Sequence, residues 1–383
     1  MKKLFKSIAP SMPLISTLIF QLSLIFKFGI GQDLDVYYLI SGFNAFFMAV
    51  LAGLTLYWAY PNFKNGGNKM YFDSILSLGV LVNIILAVGC AIYYYYTMSF
   101  LPLIFTMLIT PSVILSLYMY TLYSEGNYVF GSVLSTVPNL LISVILIKVG
   151  SISISGIVLG LVIANYVIAM YALFNSKFSF SLKSLGLLKS SNSVDLFRSS
   201  VASKAMSPID RATLASGDEG FISVYALYER LITIFVTLFS KYHELLLLSS
   251  IKIFKEIFRR FLPAAIIAIA AYFFGLMIFK EAVFDLPYFP SSLKGLENFL
   301  TVLLICGPIS ALLLWMNSLL VAELYSKKKH GYIFKVNVLI MAFSLLVRFV
   351  IIVSGLYIFL PVVVVIALSA NLFFFYRHLE ELK

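Results

Sequence analysis

Charge is scarce in this chain: Asp, Glu, Lys and Arg make up only 12% of its 383 residues. A soluble globular domain carries about 25%. With 61% hydrophobic residues and a mean hydropathy of +0.99, an ordinary soluble fold is excluded. Cysteine and histidine are nearly missing. The two cysteines, Cys90 and Cys306, lie inside apolar segments, and the three histidines, His243, His330 and His378, are scattered. Neither a disulfide framework nor a metal centre is expected from them. Acidic residues number 17 against 28 basic ones. The resulting net charge of +11 would suit nucleic acid, but most basic residues fall in short links between apolar segments, where the positive-inside rule puts them. Nucleic acid is therefore not an expected partner. The longest link on the outer side, about 280–297, holds no cluster of acid, base and nucleophile, so an enzyme is not expected either.

What remains is apolar and aromatic, with 35 Phe and 24 Tyr, as suits a protein facing lipid and its interfaces. The sequence predicts an all-α polytopic membrane protein. A window of about 19 residues gives twelve spans, near 8–30, 36–59, 71–96, 99–122, 127–147, 153–174, 193–215, 220–242, 260–279, 298–322, 333–354 and 357–376. The basic start runs into an apolar stretch without a small-residue cleavage site, so it reads as the first span. With the N-terminus inside, 19 Lys and Arg fall on the cytoplasmic side, 3 outside and 6 within spans. That asymmetry puts both termini in the cytoplasm.

Six spans precede a polar linker and six follow it, giving an N-lobe over 1–175, a cytoplasmic linker over 176–192 and a C-lobe over 193–383. The turn "FGIGQDLDVYYLI" (28–40) returns about 187 residues later as "LASGDEGFISVYALYERLI" (214–232). Each has a glycine and acid turn followed by a tyrosine-bearing helix. Two pseudo-symmetric six-helix lobes around a central cavity are a transporter architecture, with the binding site at their interface.

The six spanning cations are Lys27, Arg198, Lys204, Arg211, Arg230 and Arg348. A charge at the bilayer centre costs roughly 2.5–3.5 kcal/mol, so such groups face a bundle interior or a watery cavity. Residues three and four apart share a helix face. Ser200, Lys204, Ser207 and Arg211 form one stripe, kinked at Pro208; Arg230, Thr233 and Thr237 continue the pattern on the next span. Arg348 shares a stripe with Asn337 and Ser344. The well-embedded acids are Asp210 and Glu229, fewer than the cations, and Asp35 lies at the first turn. Surplus positive charge in a low-dielectric cavity attracts anions, so a negatively charged cargo is expected. The alternative is structural: ion pairs that hold helices together, with Lys27 snorkelling to the interface.

"FGIGQDLDVYY" and "SPIDRATLASGDEGFISVYALYERL" together resemble the multidrug/oligosaccharidyl-lipid/polysaccharide (MOP) exporter superfamily. The likeness is to its MurJ-type and Wzx-type lipid-linked glycan flippases. Asp35, Tyr37 and Tyr38 fall where that family carries an acid and an aromatic pair; Glu229 and Arg230 match its acid–arginine pair. Two departures, Met48 and Ala49 where MurJ-type proteins carry basic residues, and an end at "RHLEELK" without two further helices, favour a Wzx-like cargo.

The resemblance implies a flippase of the bacterial cytoplasmic membrane. It would translocate a polyprenyl-(pyro)phosphate-linked oligosaccharide by alternating access, working as a monomer among membrane lipids. Arg198, Lys204, Arg211, Arg230, Lys27 and Arg348 would hold the phosphate and acidic sugars, since arginine matches phosphate geometry bidentately. Asp35, Asp210 and Glu229 are candidates for ion coupling or gating, and Gly29, Gly31, Gly217 and Gly220 for hinges. No cofactor is implied; energy would come from Na+, H+ or the membrane potential. The rivals are a MATE-type cation-coupled drug antiporter and a membrane enzyme of glycan assembly, such as a polymerase or ligase.

Overall fold

The computed structural model describes residues 12–66, 68–189, 191–248, 254–278 and 294–381, and among these it is helical with no strand. Among the described residues, eight helices are long and apolar enough to cross a membrane: Gln32–Lys64, Met70–Thr97, Leu101–Ser124, Val129–Lys148, Ile154–Ser176, Leu296–Ser326, His330–Ser354 and Tyr357–Glu381. Met12–Phe28 and Leu262–Ala271 are shorter apolar helical stretches. The expected outer link at 280–297 lies mostly outside the described residues.

Four segments depart from the sequence expectation. The stretch 60–69, expected as a loop, contains the helix Tyr60–Gly66, which continues Gln32–Leu54 through a π-helical turn at Thr55–Ala59. Pro61 cannot donate to a regular ladder, and the wider turn just before it re-registers the bonding. The expected span 99–122 is divided at Met107 into Leu101–Thr106 and Ile109–Ser124. The expected span 193–215 is likewise divided, into Ser191–Lys204 and Met206–Leu214. The Pro208 ring would clash with the carbonyl four residues earlier, that of Lys204, and the break falls there. The linker also has structure of its own. Leu182–Lys189 is a 3-10 helix whose approach is stitched to Met70–Thr97: Asp73 accepts from the Ser179 amide, and Ser74 donates to the Ser184 carbonyl at 2.7 Å.

The chain divides into two compact units: residues 1–27 with 40–204, and residues 28–39 with 205–383. The boundary falls inside Gln32–Leu54, so the first turns of that helix belong to the second unit. In the first unit, Ile109–Ser124 packs against Met70–Thr97, Tyr128–Lys148 and Ile154–Ser176. It is apolar all round, as a helix enclosed by others must be, and its buried residues run from Ile109 to Tyr123. In the second unit Lys294–Ser326 takes that place, against Phe221–Leu248, Phe254–Ile278 and Leu360–Glu381. Phe299, Leu303, Trp315, Leu319 and Leu324 are inaccessible along it.

Outer helices are equally apolar where nothing covers them. Met70–Thr97 exposes Ile84, Ile85, Val88 and Ile92 along its length. His330–Ser354 exposes Phe343, Leu346, Phe349 and Val353. Water would reject such faces; lipid solvates them. The protein is a multi-pass membrane protein.

Candidate functional site

The polar interior of the second unit is built where three helix ends and two helix middles converge. The chain turns at Gly29, with φ of +75°, and enters Gln32–Leu54 with Asp33 and Asp35 in its first turn. It turns again at Gly220, with φ of +89°, before Phe221–Leu248. Side chains rarely adopt these left-handed angles, so glycine is required at both turns.

Asp35 is buried and serves as a cap for a helix far along the chain. Its carboxylate accepts the Gly220 amide at 2.7 Å and the Ser223 amide at 2.8 Å, and also the Ser223 hydroxyl. The first amides of a helix have no partner within it, and the N-terminal end of its dipole favours negative charge. Nearby, Glu219 accepts the Gln32 amide at 2.7 Å. A Cβ at position 31 would stand 3.0 Å from the same Glu219 oxygen, which explains Gly31.

Two ion pairs lie beside this cap. Arg211 donates through Nε and Nη2 to one oxygen of Glu229, at 3.1 and 2.9 Å, and through Nη1 to the Tyr38 carbonyl at 2.8 Å. Arg348 donates to Asp210 Oδ1 at 2.5 Å and to the Ser344 carbonyl at 3.1 Å. The second oxygen of Asp210 accepts from the Tyr225 hydroxyl at 2.8 Å. Asp210 and Arg348 are 3% and 2% exposed, so in place of water each has the other's charge together with the Tyr225 hydroxyl and the Ser344 carbonyl.

Arg230 is the exception. It is half-buried and, among the described residues, makes no hydrogen bond or ion pair. It lies within electrostatic reach of Arg211, Glu229, Tyr37 and Tyr38.

Of the nine candidate residues, the structure brings together Asp35, Asp210, Arg211, Glu229, Arg230 and Arg348 within the second unit. Lys27, Arg198 and Lys204 belong to the first. Lys27 is half-buried and donates to the Val149 and Gly150 carbonyls, at 2.5 and 2.7 Å, just past the end of Tyr128–Lys148. A cation at that position satisfies orphan carbonyls and complements the helix dipole. Arg198 and Lys204 are exposed on Ser191–Lys204. The two embedded acids already counted are thus spent on Arg211 and Arg348, and Arg230 is the candidate cation of the second unit left without a partner among the described residues.

Sequence reasoning missed Tyr225, Ser223 and Glu219. Tyr225 and Ser223 stand in the recurring turn-and-tyrosine segment, so the signal was present but assigned no partner.

No protein-family model and no curated protein matches the sequence. Solved structures do. A lipid II flippase MurJ in an inward closed conformation aligns with a TM-score of 0.75 at 15% identity, over 98% of this chain and 87% of that one. A MOP superfamily transporter from Pyrococcus furiosus, described as having a binding pocket of reversed polarity, aligns at 0.66 and 10% identity, over 99% and 96%. An outward-facing multidrug resistance MATE family transporter of the same superfamily aligns at 0.65 and 12% identity, over 100% and 96%. Identities this low speak to architecture alone: the chain has the transporter fold of the MOP superfamily.

Proposed function

We propose that this chain is a twelve-span flippase of the bacterial cytoplasmic membrane, with both termini in the cytoplasm. Its cargo is a polyprenyl-(pyro)phosphate-linked oligosaccharide, a surface-polysaccharide unit or a lipid II-like precursor, carried from the inner to the outer leaflet by alternating access. The observation that carries the reading is Arg230, a half-buried guanidinium with no protein partner among the described residues, in a unit whose other embedded arginines are paired. An unpaired charge in a membrane protein marks a ligand pathway, and a guanidinium fits phosphate oxygens bidentately. The glycan needs a hydrated route, while the polyprenyl tail stays in lipid.

A drug antiporter of the MATE type shares the fold and is the second reading. It needs a carboxylate open to a cationic drug, whereas Asp35, Asp210 and Glu229 are all engaged by amides, hydroxyls or arginines.

The test is leaflet transfer in liposomes. A fluorescent polyprenyl-pyrophosphate oligosaccharide is placed in both leaflets and the outer one is quenched chemically. With the protein present, quenching should go from half to complete, and Arg230→Ala should slow it about tenfold or more, as loss of a charge-assisted contact implies. Equal transfer of a phosphate-free glycolipid, or export of a cationic dye instead, refutes the reading.

A further inference from the structure

The Asp210 carboxylate has the qualities of a coupling-ion site in every respect but one. It is an acid buried within the second unit, on the short helix that follows the break at Ala205, and interrupted helices are where transporters hold sodium or protons. Two oxygen atoms suited to a hard cation face the place next to it, Asp210 Oδ1 and the Ser344 carbonyl, and the Ser344 hydroxyl on the same residue is buried with no hydrogen-bond partner among the described residues. Yet the position among them is filled by Arg348. Its Nε and Nη2 stand at 2.5 Å from Oδ1, its Nη1 reaches the Ser344 carbonyl, and Tyr225 takes the remaining Asp210 oxygen.

We propose that Arg348 is a built-in counter-cation, whose guanidinium occupies the place at which an exchangeable alkali-metal ion would otherwise neutralise Asp210. A soluble ion at such a carboxylate can leave, and its departure lets a gradient drive a conformational change. A guanidinium tethered to a packed helix cannot diffuse away, and with both partners almost inaccessible no bulk ion can compete for the carboxylate. The site is therefore permanently loaded. Sodium, lithium and potassium have no dissociable place at Asp210, and whatever energises this protein does not enter through that acid. The other acids do not offer a substitute within the cluster: Glu229 is held by Arg211, and Asp35 by Gly220 and Ser223. The inference concerns ion binding and does not depend on the cargo proposed above.

Thermal unfolding of the detergent-solubilised full chain tests it, with Na+, Li+ or K+ titrated against choline at constant ionic strength. The midpoint of the native chain should be the same in all four salts. Arg348→Ala should melt lower in choline and recover saturably with one of the alkali ions, and Asp210→Asn added to that variant should abolish the recovery. Arg348→Lys, which keeps a tethered charge, should respond to no ion. A saturable sodium or lithium shift in the native chain that Asp210→Asn removes would overturn the proposal. So would a folded Arg348→Ala that ignores all three ions. Should Arg348→Ala fail to fold, the native chain and Arg348→Lys decide the matter by the same readout. Because no transport is measured, failure here leaves the flippase reading standing, and failure of flipping leaves this result intact.

Discussion

Arg211 and Arg230 are neighbours in the same polar interior, but their deletion should have opposite consequences. Arg211→Ala leaves the Glu229 carboxylate without its partner and removes the clip on the Tyr38 carbonyl. Breaking a buried ion pair from one side costs about 3–5 kcal/mol. Glu229 keeps 21% of its side chain exposed against 7% for Arg211, which favours the low end, about 3 kcal/mol. For a chain of 383 residues, unfolding with about 2.1 cal/mol/K per residue, the melting temperature should fall by about 4 °C. Arg230→Ala strands no partner and removes a like charge near Arg211, so stability should change by less than about 1 kcal/mol. Transfer of a phosphate-bearing lipid should show the reverse, with Arg230→Ala the impaired variant. The assay is thermal unfolding of both variants, with Glu229→Gln in each background. The cycle should give a coupling above about 1 kcal/mol for Arg211 with Glu229 and a smaller one for Arg230, which reaches Glu229 through space without a hydrogen bond. Equal destabilisation by the two alanine variants, or a stable Arg211→Ala, would refute the assignment of one arginine to structure and the other to cargo.

Asp35→Ala should cost about 1–2 kcal/mol through loss of the helix cap, and hydrogen exchange at the Gly220 and Ser223 amides should accelerate while the middle of Phe221–Leu248 stays protected. In the first unit, a Cβ at Gly79 would meet Val113 at 3.0–3.4 Å from three atoms; Gly79→Leu should lower the yield of folded protein, whereas Gly89→Leu, where nothing lies within 4 Å, should be silent. A green fluorescent protein fused after residue 383 should fluoresce in a bacterial host, as it does only in the cytoplasm; a dark but full-length fusion would reverse the topology.

The membrane architecture was legible because its signal is redundant: each apolar run of about 20 residues announces itself without help from its neighbours. Breaks inside those runs were harder to read. Prolines mark both: the split at Lys204 is where the Pro208 ring would clash, and the division at Met107 is where the Pro111 ring would, four residues on, yet an apolar run hides the second inside an unbroken hydropathy signal. The site was legible in its residue types and not in its pairings. Helical spacing grouped Arg348 with Asn337 and Ser344, all buried on His330–Ser354, whereas the stripe through Lys204 and Arg211 crosses the helix break at Ala205; and spacing along one helix cannot reveal that Glu229 lies 18 residues on, or Asp210 138 residues back, at contact distance. Lys27 shows the same limit, since its carbonyl partners are 122 and 123 residues away.

The separation of Asp210 from Arg348 along the chain has a further consequence, for biogenesis. At about 5–20 residues per second, the ribosome finishes Arg348 about 7–28 s after Asp210, given the 138 residues between them. During that interval the Asp210 carboxylate can have the Tyr225 hydroxyl, made only 15 residues later, but not its counter-charge, and a lone charge inside a membrane is costly. The second unit therefore cannot be assembled helix by helix in order of synthesis; its innermost bond closes almost last.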